Sequence, residues 1–165
     1  MWRLCTSLLS GVIAASACVR QIAEGPKEPV LFTPDGIPRS SLLGLVADTV
    51  RQVEKAQPYY QDELGCAYRF TETSDSLEIW VEYYTGGRGR IQTVSITYES
   101  PVFRVLTKRY QSWRMFLREA YGTSQGHLGH EVWKTPEGVR VRLLLSPDRN
   151  YLQVTFSAER QARTP

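Results

Sequence analysis

Residues that carry chemistry are scarce in this chain: two histidines, three cysteines and two methionines among 165 positions. The G-x-S-x-G, H-E-x-x-H, phosphate-loop and dinucleotide-fingerprint patterns are all absent, so no hydrolytic, zinc-protease or nucleotide template is available. There is no polybasic run. The 20 lysines and arginines are interleaved with 17 acids for a net charge of +3 at pH 7, which leaves no footprint for a nucleic acid or an anionic lipid surface. The body of the chain also lacks an apolar run of about 18 residues, which argues against a spanning helix there. Neither a cofactor nor a metal is expected, and the chain reads as non-enzymatic. What is present is ordinary for a folded protein, with 42% hydrophobic and 22% charged residues. A chain of this length buries enough apolar surface to fold as one domain without staples.

The first seventeen residues have the layout of a secretory signal peptide. Met1 to Arg3 are followed by the apolar run Leu8 to Ala15 and then by the small residues Ala15, Ser16 and Ala17. Ala15-Ser16-Ala17-Cys18 resembles the lipobox of bacterial lipoproteins, with Ala15 standing where that pattern usually has leucine. The resemblance implies that Cys18 is acylated and becomes the mature N-terminus, so that the membrane is a partner through a lipid anchor. Val19 rather than aspartate at the next position implies the outer membrane, on its periplasmic or surface face. Three acyl chains, at roughly 0.8 kcal/mol per buried methylene, hold far more firmly than one myristoyl group. The same small residues fit an ordinary A-x-A cleavage site. Cys18 would then be a plain thiol able to pair with Cys66 in an oxidising periplasm.

Residues 18–38 hold Pro26, Pro29, Pro34 and Pro38 with Gly25 and Gly36, a composition that breaks helices and favours an extended tether. Val30, Leu31 and Phe32 either belong to that tether or pack on the domain, which is expected over 39–160 and followed by a disordered tail over 161–165. Leu42, Val46, Val50 and Val53 recur at helical spacing, with Ser40 or Ser41 as cap. Three strand-like runs follow: Cys66, Tyr68, Phe70; then Leu77, Ile79, Val81, Tyr83; then Val94, Ile96, Tyr98. Ser100-Pro101 opens a second helical stripe through Val102, Leu106, Arg109 or Tyr110, Trp113, Leu117 and Tyr121, which Gly122 stops. His130, Val132 and Lys134, then Val139, Val141, Leu143 and Leu145, then Leu152, Val154 and Phe156 again alternate in the strand fashion.

Two segments recur in order. Leu64-Gly65-Cys66 matches Leu128-Gly129-His130, and Val94 to Thr97 matches Val154 to Ser157. The expected fold is therefore α+β: two α-β-β-β repeats forming a six-stranded, mostly antiparallel sheet with two helices packed on one face. In element order this resembles the β-lactamase-inhibitor-like and BamE-like periplasmic α/β modules, a resemblance that brings no functional residues with it.

Four places are candidates for a site. His127 and His130 lie three apart in a glycine-rich loop, but no third metal ligand stands at ligand spacing. Cys66 and His130 start equivalent strands, and together they would offer a thiolate pair if an envelope enzyme were present. Thr85 to Arg90 has the glycines of a phosphate loop but joins two strands, so it reads as a hairpin whose tip, Gly86 to Arg90, would enter an enzyme cleft in a secreted inhibitor. The fourth is the helix-free face of the sheet, where alternation places Glu78, Trp80, Glu82 and Tyr84 from one strand and Arg140 and Arg142 from another. Aromatics and arginine dominate interface energetics, so this face points to an envelope protein partner and to a scaffolding or assembly role.

Overall fold

The computed structural model describes residues 31–158. The leader, Cys18, the tether through residue 30 and the tail over 161–165 lie outside the described residues. The elements are α1 (Ala47–Glu54), β1 (Tyr60–Asp62), β2 (Gly65–Glu72), β3 (Leu77–Thr85), β4 (Ile91–Glu99), α2 (Phe103–Tyr121), β5 (Gln125–His127), β6 (His130–Lys134), β7 (Val139–Ser146) and β8 (Tyr151–Ala158). They form an α+β fold whose eight antiparallel strands run in the order β1-β2-β3-β4-β8-β7-β6-β5.

The sheet thus has two strands more than expected, and each half is α-β-β-β-β. β1 and β5 are three residues long and exposed throughout. They bury no apolar face that could have announced them, and only pairing with β2 and β6 makes them strands. Of the two recurring sequence segments, Leu64-Gly65-Cys66 and Leu128-Gly129-His130 both lie at the corners of the edge hairpins but out of step by one residue, because Gly65 pairs with Asp62 whereas His130 pairs with His127. Where β4 meets β8, Val94 faces Phe156, Ser95 faces Thr155 and Ile96 faces Val154. That pairing maps onto itself about the Ser95–Thr155 position, giving the domain a local two-fold axis at its central seam.

Both helices cover one face. α2 buries Leu106, Tyr110, Trp113 and Leu117, at steps of 4, 3 and 4 that keep them on one side of the helix. Trp113 stacks tilted on Phe156 at 6.4 Å and donates from Nε1 to the Tyr98 hydroxyl at 3.1 Å. The helix begins at Phe103, with Ser100 Oγ accepting from the Val102 N–H, and ends where Gly122 takes φ +80. α1 is shorter than expected and no serine caps it. Residues Arg39–Leu42 make a 3-10 turn, and α1 starts only at Ala47, after Val46. The intervening backbone is engaged by the start of β4: the Gly44 N–H donates to the Ile91 carbonyl at 2.8 Å and the Ile91 N–H to the Leu45 carbonyl at 2.8 Å.

Beneath each helix sits one buried carboxylate. Glu54, at the end of α1, is 1% exposed and takes both arms of Arg39, Nε on Oε1 and Nη2 on Oε2, each at 2.6 Å. The Tyr83 hydroxyl donates to the same carboxylate, and Arg39 Nη1 reaches the Phe32 carbonyl. That last contact fastens the chain before the domain. Thr33 is buried, and Leu31 and Ile37 pack against the core. The last residues of the proline-containing segment therefore belong to the folded body from residue 31 on. In the other half Glu131, 3% exposed, accepts from Tyr110 at 2.5 Å, Ser124 at 2.8 Å and Arg114 Nε at 3.0 Å. A charge taken out of water needs such pairing to persist.

Candidate protein-binding face

Alternation along each strand decides what the opposite, helix-free face presents. In β3 Leu77, Ile79, Val81 and Tyr83 are buried toward the helices, which turns Glu78, Trp80, Glu82 and Tyr84 outward. In β7 Val141 and Leu143 are buried, turning Arg140, Arg142 and Leu144 outward. The expected site residues therefore share one face. They do not pair across it. The register runs Ala67, Glu82, Ser95, Thr155, Arg142, Val132 in one row, so β4 and β8 stand between Glu82 and Arg142. At about 4.8 Å per strand that is roughly 14 Å of separation.

Each charge is instead held locally. Glu82 Oε1 accepts from the Tyr84 hydroxyl at 2.8 Å, and Tyr84 is pushed up to about 12 by its partial burial first and by Glu82 second. Arg142 Nη2 donates to Gln153 at 3.3 Å, and Gln153 in turn donates to Thr97 at 3.3 Å, linking the two halves across the seam. At the axis itself, Ser95 Oγ and Thr155 Oγ1 are buried without a hydrogen-bond partner among the described residues.

Trp80 is the centre of an aromatic cluster that also takes in Tyr59 and Arg69. Tyr59 meets it edge-on at 5.0 Å, and the Arg69 guanidinium lies 5.4 Å from the Trp80 ring and 5.7 Å from that of Tyr59 while pairing with Glu78. Arg69 could have been found from its neighbours. Tyr68 and Phe70 on the core side of β2 force it outward by the same period of two. Tyr59, before β1, carried no such signal.

The other candidates are dispersed. His127 and His130 do meet, as a cross-strand pair in a tight hairpin rather than a curled loop, with ring centres 5.7 Å apart. No group of three or more His, Cys, Asp or Glu able to hold a metal ion occurs among the described residues. The histidines instead line a cavity of about 540 Å³ between α2 and the β5–β6 hairpin, together with Tyr110, Arg114, Leu128 and Leu144. Cys66 and His130 are not brought together. Cys66 faces the core from β2 and His130 the open side from β6, with four strands between them. Cys66 is a free, buried thiol, and burial pushes its pKa up, away from the thiolate that a nucleophile requires. In the Gly86–Arg90 hairpin Arg90 is tied down, Val46 bridging to it and its Nη1 donating to the Gly44 carbonyl at 2.7 Å, while Gly87 to Gly89 are exposed. No helix among the described residues is long and apolar enough to cross a membrane. Comparison with family models, with curated proteins and with solved structures found no match for this chain.

Proposed function

We propose that this chain is a non-enzymatic, lipid-anchored protein of the bacterial outer membrane whose domain binds another protein through the open face of its sheet, in a scaffolding or assembly role. The observation that carries the reading is the Trp80 cluster. A tryptophan flanked by a tyrosine and an arginine on a face that neither helix covers is the residue set that dominates interface energetics. The anchor follows from the lipobox-like Ala15-Ser16-Ala17-Cys18 and the signal peptide before it.

Two measurements test the two parts. Intact mass of the membrane-extracted chain is expected to show loss of residues 1–17 and a diacylglycerol adduct on Cys18; an unmodified thiol at that position refutes the anchor. In the full-length chain Trp80→Ala is expected to strip the partners captured by crosslinking while the circular dichroism spectrum is retained. An unchanged partner profile with the fold intact removes the face from consideration.

A further inference from the structure

Charge on the open face divides by sign at the β4–β8 seam. The first half turns out Asp62, Glu78, Glu82 and Glu99 against Arg69 alone. The second half turns out Lys134, Arg140 and Arg142, and none of its described strands turns a carboxylate to this face. Divided in this way, the face offers opposite charges to a partner that carries the inverse arrangement.

We propose that the partner this face fits is a second copy of the same chain, docked face to face about a two-fold axis running parallel to the strands over the seam. This rests on the reading of the open face as the protein-binding surface. β3 and β7 each stand one strand out from the seam, so this axis exchanges them and keeps each residue's position along the strand. The row containing Glu82 and Arg142 then sets Glu82 of one copy over Arg142 of the other. The adjacent rows set Trp80 over Leu144 and Tyr84 over Arg140. Each contact forms twice, as an isologous interface requires. A face-to-face axis across the strands would instead lay acid on acid. Eight strands at about 4.8 Å spacing and about 3.3 Å per residue give a face of roughly 900 Å² per copy. A stable interface of standard size buries about 800 Å² per partner.

The test uses the full chain extracted in detergent and measured by sedimentation with the detergent density-matched. The wild type is expected to dimerise at micromolar concentration and to weaken at least about tenfold between roughly 0.05 and 0.5 M salt. Glu82→Arg alone and Arg142→Glu alone are each expected to weaken the homodimer at least about tenfold, because two repulsive contacts replace two attractive ones. Mixing the two single variants gives one native Glu82–Arg142 contact and one with its signs exchanged, so a heterodimer within about threefold of wild-type affinity is expected. Unchanged thermal melts of the single variants exclude misfolding. A wild type that stays monomeric at about 100 μM, or a mixture no tighter than its components, overturns the proposal. If Trp80→Ala still strips the captured partners in that case, the face binds a different protein and only self-pairing has failed. If it does not, the open-face reading falls as well.

Discussion

The ion pair beneath α1 makes a sharp prediction, because both partners are sealed from water: Arg39 is 3% exposed and Glu54 1%. Replacing Arg39 with methionine keeps the volume of the stem but leaves the Glu54 carboxylate with only the Tyr83 hydroxyl as a side-chain donor. Breaking a buried pair from one side costs about 3–5 kcal/mol, most of it the uncompensated charge. For a domain whose whole stability is about 5–15 kcal/mol, that is a large share. With a urea slope of about 1.5 kcal/mol/M, a loss of about 4 kcal/mol moves the unfolding midpoint down by roughly 2.7 M.

Removing both charges should be far milder. In Arg39→Met/Glu54→Leu no charge is stranded, and hydrophobic replacement of a buried pair is often close to neutral. The Tyr83 hydroxyl would be left unsatisfied at about 1–3 kcal/mol, a cost that adding Tyr83→Phe relieves. Urea titration of the wild type, the singles, the double and the triple is the assay, and a coupling energy of at least about 2 kcal/mol between Arg39 and Glu54 is the expected result. The reasoning is refuted if either single costs under about 1 kcal/mol or if the double equals the sum of its singles. Because Arg39 also holds the Phe32 carbonyl, Arg39→Met should expose the 31–38 segment to protease before the rest of the domain.

Three further outcomes follow from other buried groups. Burial pushes the Glu131 carboxyl up, but the hydrogen bonds from Tyr110, Arg114 and Ser124 outweigh it and hold it below its ordinary 4.5. The folded state therefore binds fewer protons, and this contribution is present above pH 4.5 and lost as pH falls through the lowered value; in Glu131→Gln the fall in urea midpoint below pH 5 should flatten, and an unchanged slope contradicts the assignment. Cys66, buried with a raised pKa, should resist a thiol reagent at pH 8 in the native chain and react promptly in urea, so rapid native labelling would count against the packing described. Gly126 has φ +106, and a Cβ there would lie 2.3 Å from the His130 carbonyl oxygen. Gly126→Ala should therefore disrupt the β5–β6 hairpin at a cost above about 1 kcal/mol, read as faster amide exchange at β6, and exchange at the wild-type rate would exclude the clash.

Legibility in the sequence followed the reach of the forces involved. α2 was readable from Leu106 to its end, because the burial of Leu106, Tyr110, Trp113 and Leu117 is a local pattern and Gly122 a local stop, whereas its start falls at Phe103 rather than at Pro101 behind a Ser100 cap and leaves Val102 exposed. The outward set of β3 was readable for the same reason, from its buried alternates Leu77 to Tyr83. The start of α1 was not. Leu42 is buried and fits the helical spacing, yet the backbone of Gly44 and Leu45 is engaged by Ile91, some 46 residues away. β1 and β5 were invisible because pairing alone defines them. Strand order was likewise beyond local pattern, which is why Glu82 and Arg142 could be placed on one face without their separation by β4 and β8 being foreseen. The Arg39–Glu54 pair had no signal at all, since two charged residues 15 apart in sequence look like solvated surface until the fold buries them.

The self-matching seam also bears on how the two halves stay joined. A molecule carrying only the first half would present on β4 the edge that β8 uses now, and could close the same ladder with its twin at the expense of dilution. Joining the halves through the short link between Glu99 and Phe103 turns that encounter into an intramolecular one, at an effective concentration on the order of millimolar. The tandem chain therefore keeps its sheet whole at any abundance the cell maintains.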